Sequence, residues 1–193
     1  MTEKEKMIAG KMYFAGGEEL VGERLRAKDL CHQFNFHILP SDLGAREAVL
    51  RELLGEIKGS FYMEPTFWCD YGYNITLGNH FYSNHELVII DCAPVVFGEN
   101  VFIGPNCGFY TAGHPIDYER RNAEQEFAKP ITVGDNVWIG GGVRVMPGVT
   151  IGSNVVIGGG SVVTKDIPDG VVAAGNPCRV IRAITDADQK REY

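Results

Sequence analysis

The sequence predicts an all-β solenoid of hexapeptide repeats that follows a small N-terminal α-helical domain. Two observations lead to this prediction. Aliphatic residues recur every six positions in the second half of the 193-residue chain, whereas apolar residues follow helical spacing in the first third. Most of the 24 glycines lie after residue 70, so the two parts differ in composition. We place the helical domain at 1–58, the solenoid at 59–185 and a tail at 186–193.

The first 58 residues predict two or three short helices. Between Glu18 and Phe34, leucine and valine side chains are spaced for one helix face. Ser41 and Asp42 predict the start of a further helix, because either side chain can accept a hydrogen bond from a free backbone N–H group. Gly59 is the predicted end of that helix.

The repeat itself is regular over six consecutive units. The residues expected to point inward are Val133, Ile139, Val145, Ile151, Ile157 and Val163. A second small or apolar series follows four residues after each of these, at Val137, Val143, Val149, Val155, Ser161 and Ile167. The pattern extends back through Phe109, Ile103 and Phe97, with a slip in register near Cys92.

A period of six fits a triangular coil in which each hexapeptide forms one face. Three hexapeptides complete a coil, so residues 18 apart are expected to stack at the parallel-strand spacing of about 4.8 Å. Glycine suits the corners, where the backbone adopts angles that other residues resist. One polar segment, 113–129, interrupts the repeat and predicts a loop extruded from the solenoid. Such loops often carry function, although a solvated insertion without a role is the alternative.

Composition excludes several classes of function. A formal net charge of −7 argues against a nucleic-acid surface, and no stretch is long and apolar enough to predict a membrane span. The first residues are charged and lack the apolar core of a signal peptide. Five scattered cysteines without a CxxC pair fit a reducing compartment, so we expect a cytoplasmic protein.

Two polar side chains near the repeat suggest chemistry. His114 stands where the loop leaves the coil, and a neutral imidazole can remove a proton from a hydroxyl near neutral pH. A structural histidine is the alternative. Asn84 occupies a glycine position of its repeat, where its amide can donate to an oxyanion. Its alternative is an asparagine tolerated at a corner with positive φ.

The C-terminal half suggests a binding surface for a long ligand. Two glycine triplets, 140–142 and 158–160, are 18 residues apart and are expected to stack into a wall without side chains, unless they serve only the turns. Lys165, Arg179 and Arg182 follow and form a local cationic group that can hold phosphates, or simply a solvated surface. No set of three histidines for a metal site can be assembled from the sequence.

Several motifs together resemble the maltose/galactoside O-acetyltransferase family, which includes nodulation acetyltransferases. The resemblance covers nearly the whole chain. The segments that carry it are 7–13, 24–28, 70–74, 81–84, 111–115, 129–134, 137–140, 163–168 and 174–179. It implies a left-handed parallel β-helix, acetyl-CoA as co-substrate without a required metal, a sugar acceptor, and a homotrimer with active sites between solenoids.

Roles for individual residues follow from the same resemblance. It implies that His114 is the catalytic base and that Asn84 binds the acceptor and stabilises the tetrahedral intermediate. The residues implied to contact the acceptor sugar are Asp70, Asp91 and Glu126. The residues implied to bind acetyl-CoA are Gly141, Gly159, Thr164, Lys165, Arg179 and Arg182.

The chain also departs from the family pattern at the acceptor side. The stretch Phe14–Gly17 lacks a carboxylate found in some members, and Cys92 replaces another acidic residue. Three alternatives to a sugar O-acetyltransferase therefore stay open. They are an acyltransferase for serine or an antibiotic hydroxyl, a γ-class carbonic anhydrase, and a solenoid that binds a ligand without turnover.

Overall fold

The computed structural model describes residues 1–192, so Tyr193 of the predicted tail lies outside the described residues. The α-helices are α1 Glu3–Ile8, α2 Glu18–His32, α3 Leu43–Leu53, α4 Tyr118–Asn122 and α5 Asp186–Gln189. One π-helical turn, Gln33–His37, continues α2. The strands are β1 Tyr13–Phe14, β2 Glu56–Ile57, β3 Phe61–Met63, β4 Phe67–Cys69, β5 Ile75–Leu77, β6 Phe81–Ser83, β7 Leu87–Ile90, β8 Val95–Phe97, β9 Val101–Ile103, β10 Gly108–Tyr110, β11 Ala112–Gly113, β12 Gln125–Ala128, β13 Ile131–Val133, β14 Val137–Ile139, β15 Arg144–Val145, β16 Thr150–Ile151, β17 Val155–Ile157, β18 Val162–Val163, β19 Val171–Ala174 and β20 Arg179–Ala183.

Three parallel sheets form the three faces of a solenoid. Their strand orders are β18-β15-β10-β7-β4, β16-β13-β8-β5-β2 and β20-β19-β17-β14-β9-β6-β3. Only the pair β19–β20 at the end of the third sheet is antiparallel among the strands that the structure describes in these sheets. Successive strands along the chain fall on successive faces, which is the triangular coil that the six-residue period predicts.

The core contains the residues that the period selects. Every member of the two predicted series from Val133 to Ile167 is at most 5% exposed. In the earlier coils, aromatic residues fill the interior, and the rings of Phe81, Phe97 and Phe109 pack edge to face at centroid distances of 5.1 and 5.0 Å. The buried side chains therefore form one continuous apolar core along the axis of the solenoid.

The predicted 18-residue stacking holds only in the later coils. Val137 lies opposite Val155, 18 residues away, but Phe61 lies opposite Phe81 and Phe67 opposite Leu87, which are 20 residues away. The prediction was wrong for the earlier coils because two additional residues leave the coil between β4 and β5, and again between β7 and β8. The second place coincides with the slip near Cys92.

All additional residues gather at one edge of the prism, between the first and second sheets. They belong to segments 70–74 and 91–94 and to the long excursion 111–130 that joins β10 to β13. We call this edge the loop corner. The excursion is folded: α4 lies within it, and β11, β12 and β1 form an antiparallel sheet in which Tyr13 pairs with Glu126.

The helical domain packs on the first coils. Asp42 caps α3 as predicted, and its side chain accepts a hydrogen bond from the Ala45 N–H at 3.1 Å. The helix ends at Leu53, so the prediction that Gly59 ends it was wrong. Gly59 instead lies within the first coil, between β2 and β3, where an added Cβ would stand 2.1 Å from the side-chain oxygen of Asn79. Within residues 1–192, no helix is long and apolar enough to cross a membrane.

The axial core yields a stability prediction. Ile139 is fully buried between Ile103 and Ile157, so Ile139→Ala should lower the free energy of unfolding by about 2–5 kcal/mol through lost apolar contact and a residual cavity. Thr132→Ala on an exposed strand position is the control and should change it by less than about 0.5 kcal/mol. Denaturant unfolding of both variants is the measurement. Equal losses would contradict the assignment of the core.

Candidate active site

The loop corner carries four of the predicted site residues. Asp70 and Asp91 lie in the two short segments that bulge from successive coils, and His114 and Glu126 lie in the long excursion. A small second core supports this corner, and its members are Met7, Tyr13, Leu20, Tyr71, Cys92, Ala93 and Ala128. Polar residues far apart in the sequence thus share one edge of the prism because every bulge leaves the coil there.

Asp91 is the buried support of this corner. Its side chain is fully buried, and Oδ1 accepts hydrogen bonds from the backbone N–H groups of Asp70 at 3.0 Å and Tyr71 at 2.8 Å. Its Oδ2 is buried and has no hydrogen-bond partner among residues 1–192. Burial raises the pKa of Asp91 to about 6. The predicted contact of Asp91 with an acceptor stays a prediction. The structure does show that Asp91 holds the backbone of segment 70–74 through these two hydrogen bonds.

Asp70 is the more accessible carboxylate of the pair. It is half-buried, and its Oδ2 accepts a weak hydrogen bond from the Cys92 thiol at a distance of 3.5 Å. Cys92 stands where the family pattern has an acidic residue, and burial raises the pKa of its thiol, which keeps it protonated. The replacement therefore supplies a hydrogen-bond donor beside Asp70 instead of a second charge.

The imidazole of His114 has a defined tautomer. Its Nδ1 lies 3.1 Å from the backbone carbonyl oxygen of Gln125. A carbonyl only accepts hydrogen bonds, so Nδ1 must carry the proton of the neutral ring, and Nε2 carries the lone pair. The side chain is 51% exposed. His114 thus presents a basic nitrogen to the surface at the loop corner.

Glu126 stands beside that nitrogen. Its Oε1 lies 3.8 Å from His114 Nε2, which is too long for a hydrogen bond but close enough for attraction to an imidazolium. Its Oε2 accepts a hydrogen bond from the Tyr13 hydroxyl at 2.7 Å. The structure therefore places Glu126 against the histidine, and its predicted contact with an acceptor remains a prediction.

Asn84 faces a different part of the surface, a groove of about 540 Å³ on the third sheet. The residues that line it are Tyr82, Asn84, Phe102, Ile103, Gly104, Pro105, Trp138, Gly140 and Gly141. Asn84 is absent from the residues with positive φ, so the corner alternative does not explain it. Its side-chain oxygen accepts from the His85 N–H at 2.8 Å, which leaves the amide N–H groups as donors for a ligand.

The glycine triplets stack as predicted, and only part of each serves the turn. Gly142 and Gly160 have φ of +74° and +71°, which accounts for one glycine in each triplet. The Gly160 N–H donates to the Gly141 carbonyl at 2.8 Å, so the two triplets lie on neighbouring coils. Gly141 lines the groove and Gly159 is exposed. A side chain at either position would take up space that a ligand lying along this surface needs.

The predicted cofactor-binding cations lie at the C-terminal end of the solenoid. Thr164, Lys165 and Arg179 are exposed. Arg182 is held by both oxygens of Asp188 at 2.7 Å each, and this ion pair strongly lowers the pKa of Asp188. A phosphate at Arg182 would therefore have to share its guanidinium with α5 or displace it.

Sequence reasoning missed several residues of the site. Tyr82, Phe102 and Trp138 form the apolar wall of the groove, and their signal was an aromatic residue at the outward position of three strands. Tyr13 gave no signal, because its pairing with Glu126 spans 113 positions. Within residues 1–192, no cluster of three His, Cys, Asp or Glu side chains could hold a metal ion.

Comparison with known proteins identifies the class and then the family. The bacterial transferase hexapeptide model matches residues 130–165, and the maltose acetyltransferase hexapeptide capping motif matches residues 6–59. The galactoside O-acetyltransferase of Escherichia coli K12 is 46% identical over 189 residues, which cover 98% of this chain and 93% of that protein. The chain belongs to the maltose/galactoside O-acetyltransferase family of hexapeptide-repeat enzymes.

Solved structures agree over the same span. A maltose O-acetyltransferase from Clostridium difficile 630 superposes with a TM-score of 0.93 at 50% identity, covering 96% of this chain and 99% of that chain. A galactoside acetyltransferase in complex with coenzyme A gives a TM-score of 0.95 at 46% identity, covering 100% and 96%. The predicted left-handed parallel β-helix and the family resemblance are confirmed.

Asp91 provides a test of the corner through pH. Its proton is held more tightly in the folded state, so the stability it contributes is present at low pH and is lost as pH rises through about 6. The unfolding free energy of the protein minus that of Asp91→Asn should fall by about 3 kcal/mol between about pH 3.5 and about pH 7.5. Asn keeps the Oδ1 acceptor but cannot ionise.

Denaturant unfolding across that range is the measurement. Asp29→Asn, which replaces an exposed carboxylate on α2, controls for the change in charge. A difference between the protein and Asp91→Asn that stays constant with pH would contradict the assignment.

Proposed function

We propose that this protein transfers the acetyl group of acetyl-CoA to a hydroxyl of a sugar of the maltose, glucose or galactoside type, with His114 as general base. The observation that supports this most directly is the tautomer of His114. Its Nδ1 is held by the Gln125 carbonyl, so Nε2 carries the lone pair, and His114 belongs to the same loop corner as Asp70. An unprotonated ring nitrogen that can take the proton of an acceptor hydroxyl is what base-catalysed acyl transfer requires.

The acyl donor is acetyl-CoA. The family membership supports this, as does the close likeness to a galactoside acetyltransferase in complex with coenzyme A. In this chain, the groove along Gly140 and Gly141 offers a wall without side chains against which a pantetheine arm can lie. Gly159 continues it on the next coil, and Thr164, Lys165, Arg179 and Arg182 would bind the nucleotide end.

The reaction proceeds by direct attack. His114 Nε2 accepts the proton of the acceptor hydroxyl while that oxygen bonds to the thioester carbonyl carbon. The amide of Asn84 donates to the resulting oxyanion, which the low dielectric of a closed site makes effective. The C–S bond then breaks, and the imidazolium returns its proton to the departing sulfur. All five cysteines are buried, which favours a ternary complex over an acetyl-enzyme.

The acceptor binds at the loop corner. Asp70 would accept hydrogen bonds from sugar hydroxyls, and Asp91 would contribute through its hold on the Asp70 backbone or at its free Oδ2. Carboxylates suit a polyol because each oxygen can accept several hydroxyl donors. One observation favours an alternative acceptor, such as serine or an antibiotic hydroxyl. Because Cys92 carries no charge, Asp70 is the one accessible carboxylate of the pair Asp70 and Cys92 that could bind the acceptor.

A complete site needs more than one copy of the chain. His114 is not among the residues that line the groove of Asn84 and Gly141. A homotrimer would bring the loop corner of one copy to the groove of the next. The exposed rings of Phe102 and Trp138 fit this arrangement, because they present apolar surface that a neighbouring copy or the cofactor would cover.

The direct test is a thiol-release assay. Release of CoA from acetyl-CoA is measured with maltose, glucose, galactosides and serine as acceptors and with a buffer blank. A sugar-dependent rate well above the blank is expected. Release with serine alone would identify the alternative acceptor class, and no release with any acceptor would point to a protein that only binds.

His114→Ala should lower kcat by a factor of ~10² to 10⁴, the usual contribution of a general base, with little change in the thermal midpoint. His37→Ala, an exposed histidine of the helical domain, is the matched control. Both are measured by thiol release at saturating substrates. Near-normal turnover of His114→Ala would disprove the assignment of the base.

The cationic group is tested separately. Lys165→Ala and Arg179→Ala should each raise the KM for acetyl-CoA about 3- to 30-fold and leave kcat little changed, because they remove binding that is equal in ground and transition states. Arg26→Ala is the control, since Arg26 forms an exposed ion pair with Glu52 in the helical domain. An unchanged KM in both variants would remove these residues from the cofactor site.

A further inference from the structure

We propose that Tyr13, a residue of the helical domain, is a positioning residue that acts on His114 through Glu126. This inference rests on the proposed role of His114 as general base. It assigns to the N-terminal strand β1 a task in the reaction as well as in packing. It also gives Glu126 a defined function beside the imidazole.

The contacts form a chain of three side chains. β1 pairs antiparallel with β12, and in this register Tyr13 lies directly opposite Glu126. The Tyr13 hydroxyl donates to Glu126 Oε2 at 2.7 Å, and the other carboxylate oxygen, Oε1, lies 3.8 Å from His114 Nε2. The two oxygens of one carboxylate therefore have separate partners, one fixed in the fold and one facing the base.

The three side chains differ in how deeply they are buried. Tyr13 is only 2% exposed and belongs to the small core beneath the loop corner, whereas the Glu126 side chain is 21% and that of His114 51% exposed. Burial raises the pKa of the Tyr13 hydroxyl well above its ordinary value, so the hydroxyl remains a donor under all working conditions. In this series of contacts, Tyr13 is therefore the residue that the fold holds in place, and His114 is the residue that reacts.

This arrangement matters when charge develops. Removal of a proton from the acceptor hydroxyl turns His114 into an imidazolium, and a carboxylate 3.8 Å away attracts that charge. A partly exposed glutamate side chain can occupy several rotamers, and only some of them bring Oε1 towards His114. The hydrogen bond to Tyr13 holds Oε1 in the one place where it assists, so part of the ordering is complete before substrate binds.

The experiment is a double-mutant cycle with Tyr13→Phe, Glu126→Gln and the combined variant. Phenylalanine keeps the buried ring and removes only the hydroxyl, and glutamine keeps the shape of Glu126 without its charge. Tyr62→Phe is the control, because it also removes only a hydroxyl and Tyr62 lies on β3, outside the loop corner and the groove. kcat, both KM values and the thermal midpoint are measured by thiol release and calorimetry.

Tyr13→Phe should lower kcat about 3- to 20-fold, with the KM for acetyl-CoA unchanged. This is less than the roughly 10- to 150-fold that a whole hydrogen bond to a charged group is worth, because the hydroxyl acts on His114 only through Glu126. In the Glu126→Gln background, the same substitution should lower kcat by less than about twofold, because its route to His114 is already broken. Tyr62→Phe should leave kcat unaltered. The thermal midpoint of Tyr13→Phe should fall by only a few degrees, because one hydrogen bond is lost from an otherwise intact core.

Two results would overturn the inference. One is a Tyr13→Phe enzyme with wild-type kcat. The other is an equal loss of kcat in the presence and absence of the Glu126 carboxylate, which would mean that Tyr13 acts only through the fold. His114→Ala is assayed in parallel to separate the two proposals. If it is inactive while Tyr13→Phe is normal, only the positioning role fails; if it is fully active, the proposed function fails.

Discussion

The stacking of inward aliphatic side chains along the solenoid axis is the constraint on which the other features depend. Ile139 lies between Ile103 and Ile157, and each such residue fixes the register of the strand that carries it. A coil can therefore not absorb additional residues within a face. They have to leave at an edge, and in this chain they leave at the loop corner, through segments 70–74, 91–94 and 111–130.

That restriction collects polar residues at one edge of the prism. Each bulge places polar residues at the same edge on successive coils, so Asp70, Asp91 and His114 belong to one edge of the prism although no sequence signal links them. Asp91 stiffens the edge from below, at the cost of a buried carboxylate whose pKa is raised to about 6. A precise site on a rigid scaffold needs such support, because loops alone hold geometry poorly.

The helical domain closes the corner from the other side. Its strand β1 adds to the sheet of the excursion, and Arg24 donates to the Tyr71 hydroxyl at 2.7 Å, which ties α2 to the first bulge. The excursion is thereby a folded part of the molecule. The capping motif and the repeat, which have separate sequence signatures, therefore pack as one folded unit.

The sequence by itself determined the coil and the cap on α3, and it predicted His114 as the base. Local spacing, capping chemistry and the residues of the family pattern are properties of short stretches, so they can be read without coordinates. Tertiary structure decided the 20-residue coils, the burial of Asp91 and the contact of Tyr13 with Glu126. These depend on which residues meet across long separations in the chain, and no local pattern encodes a contact between positions 13 and 126.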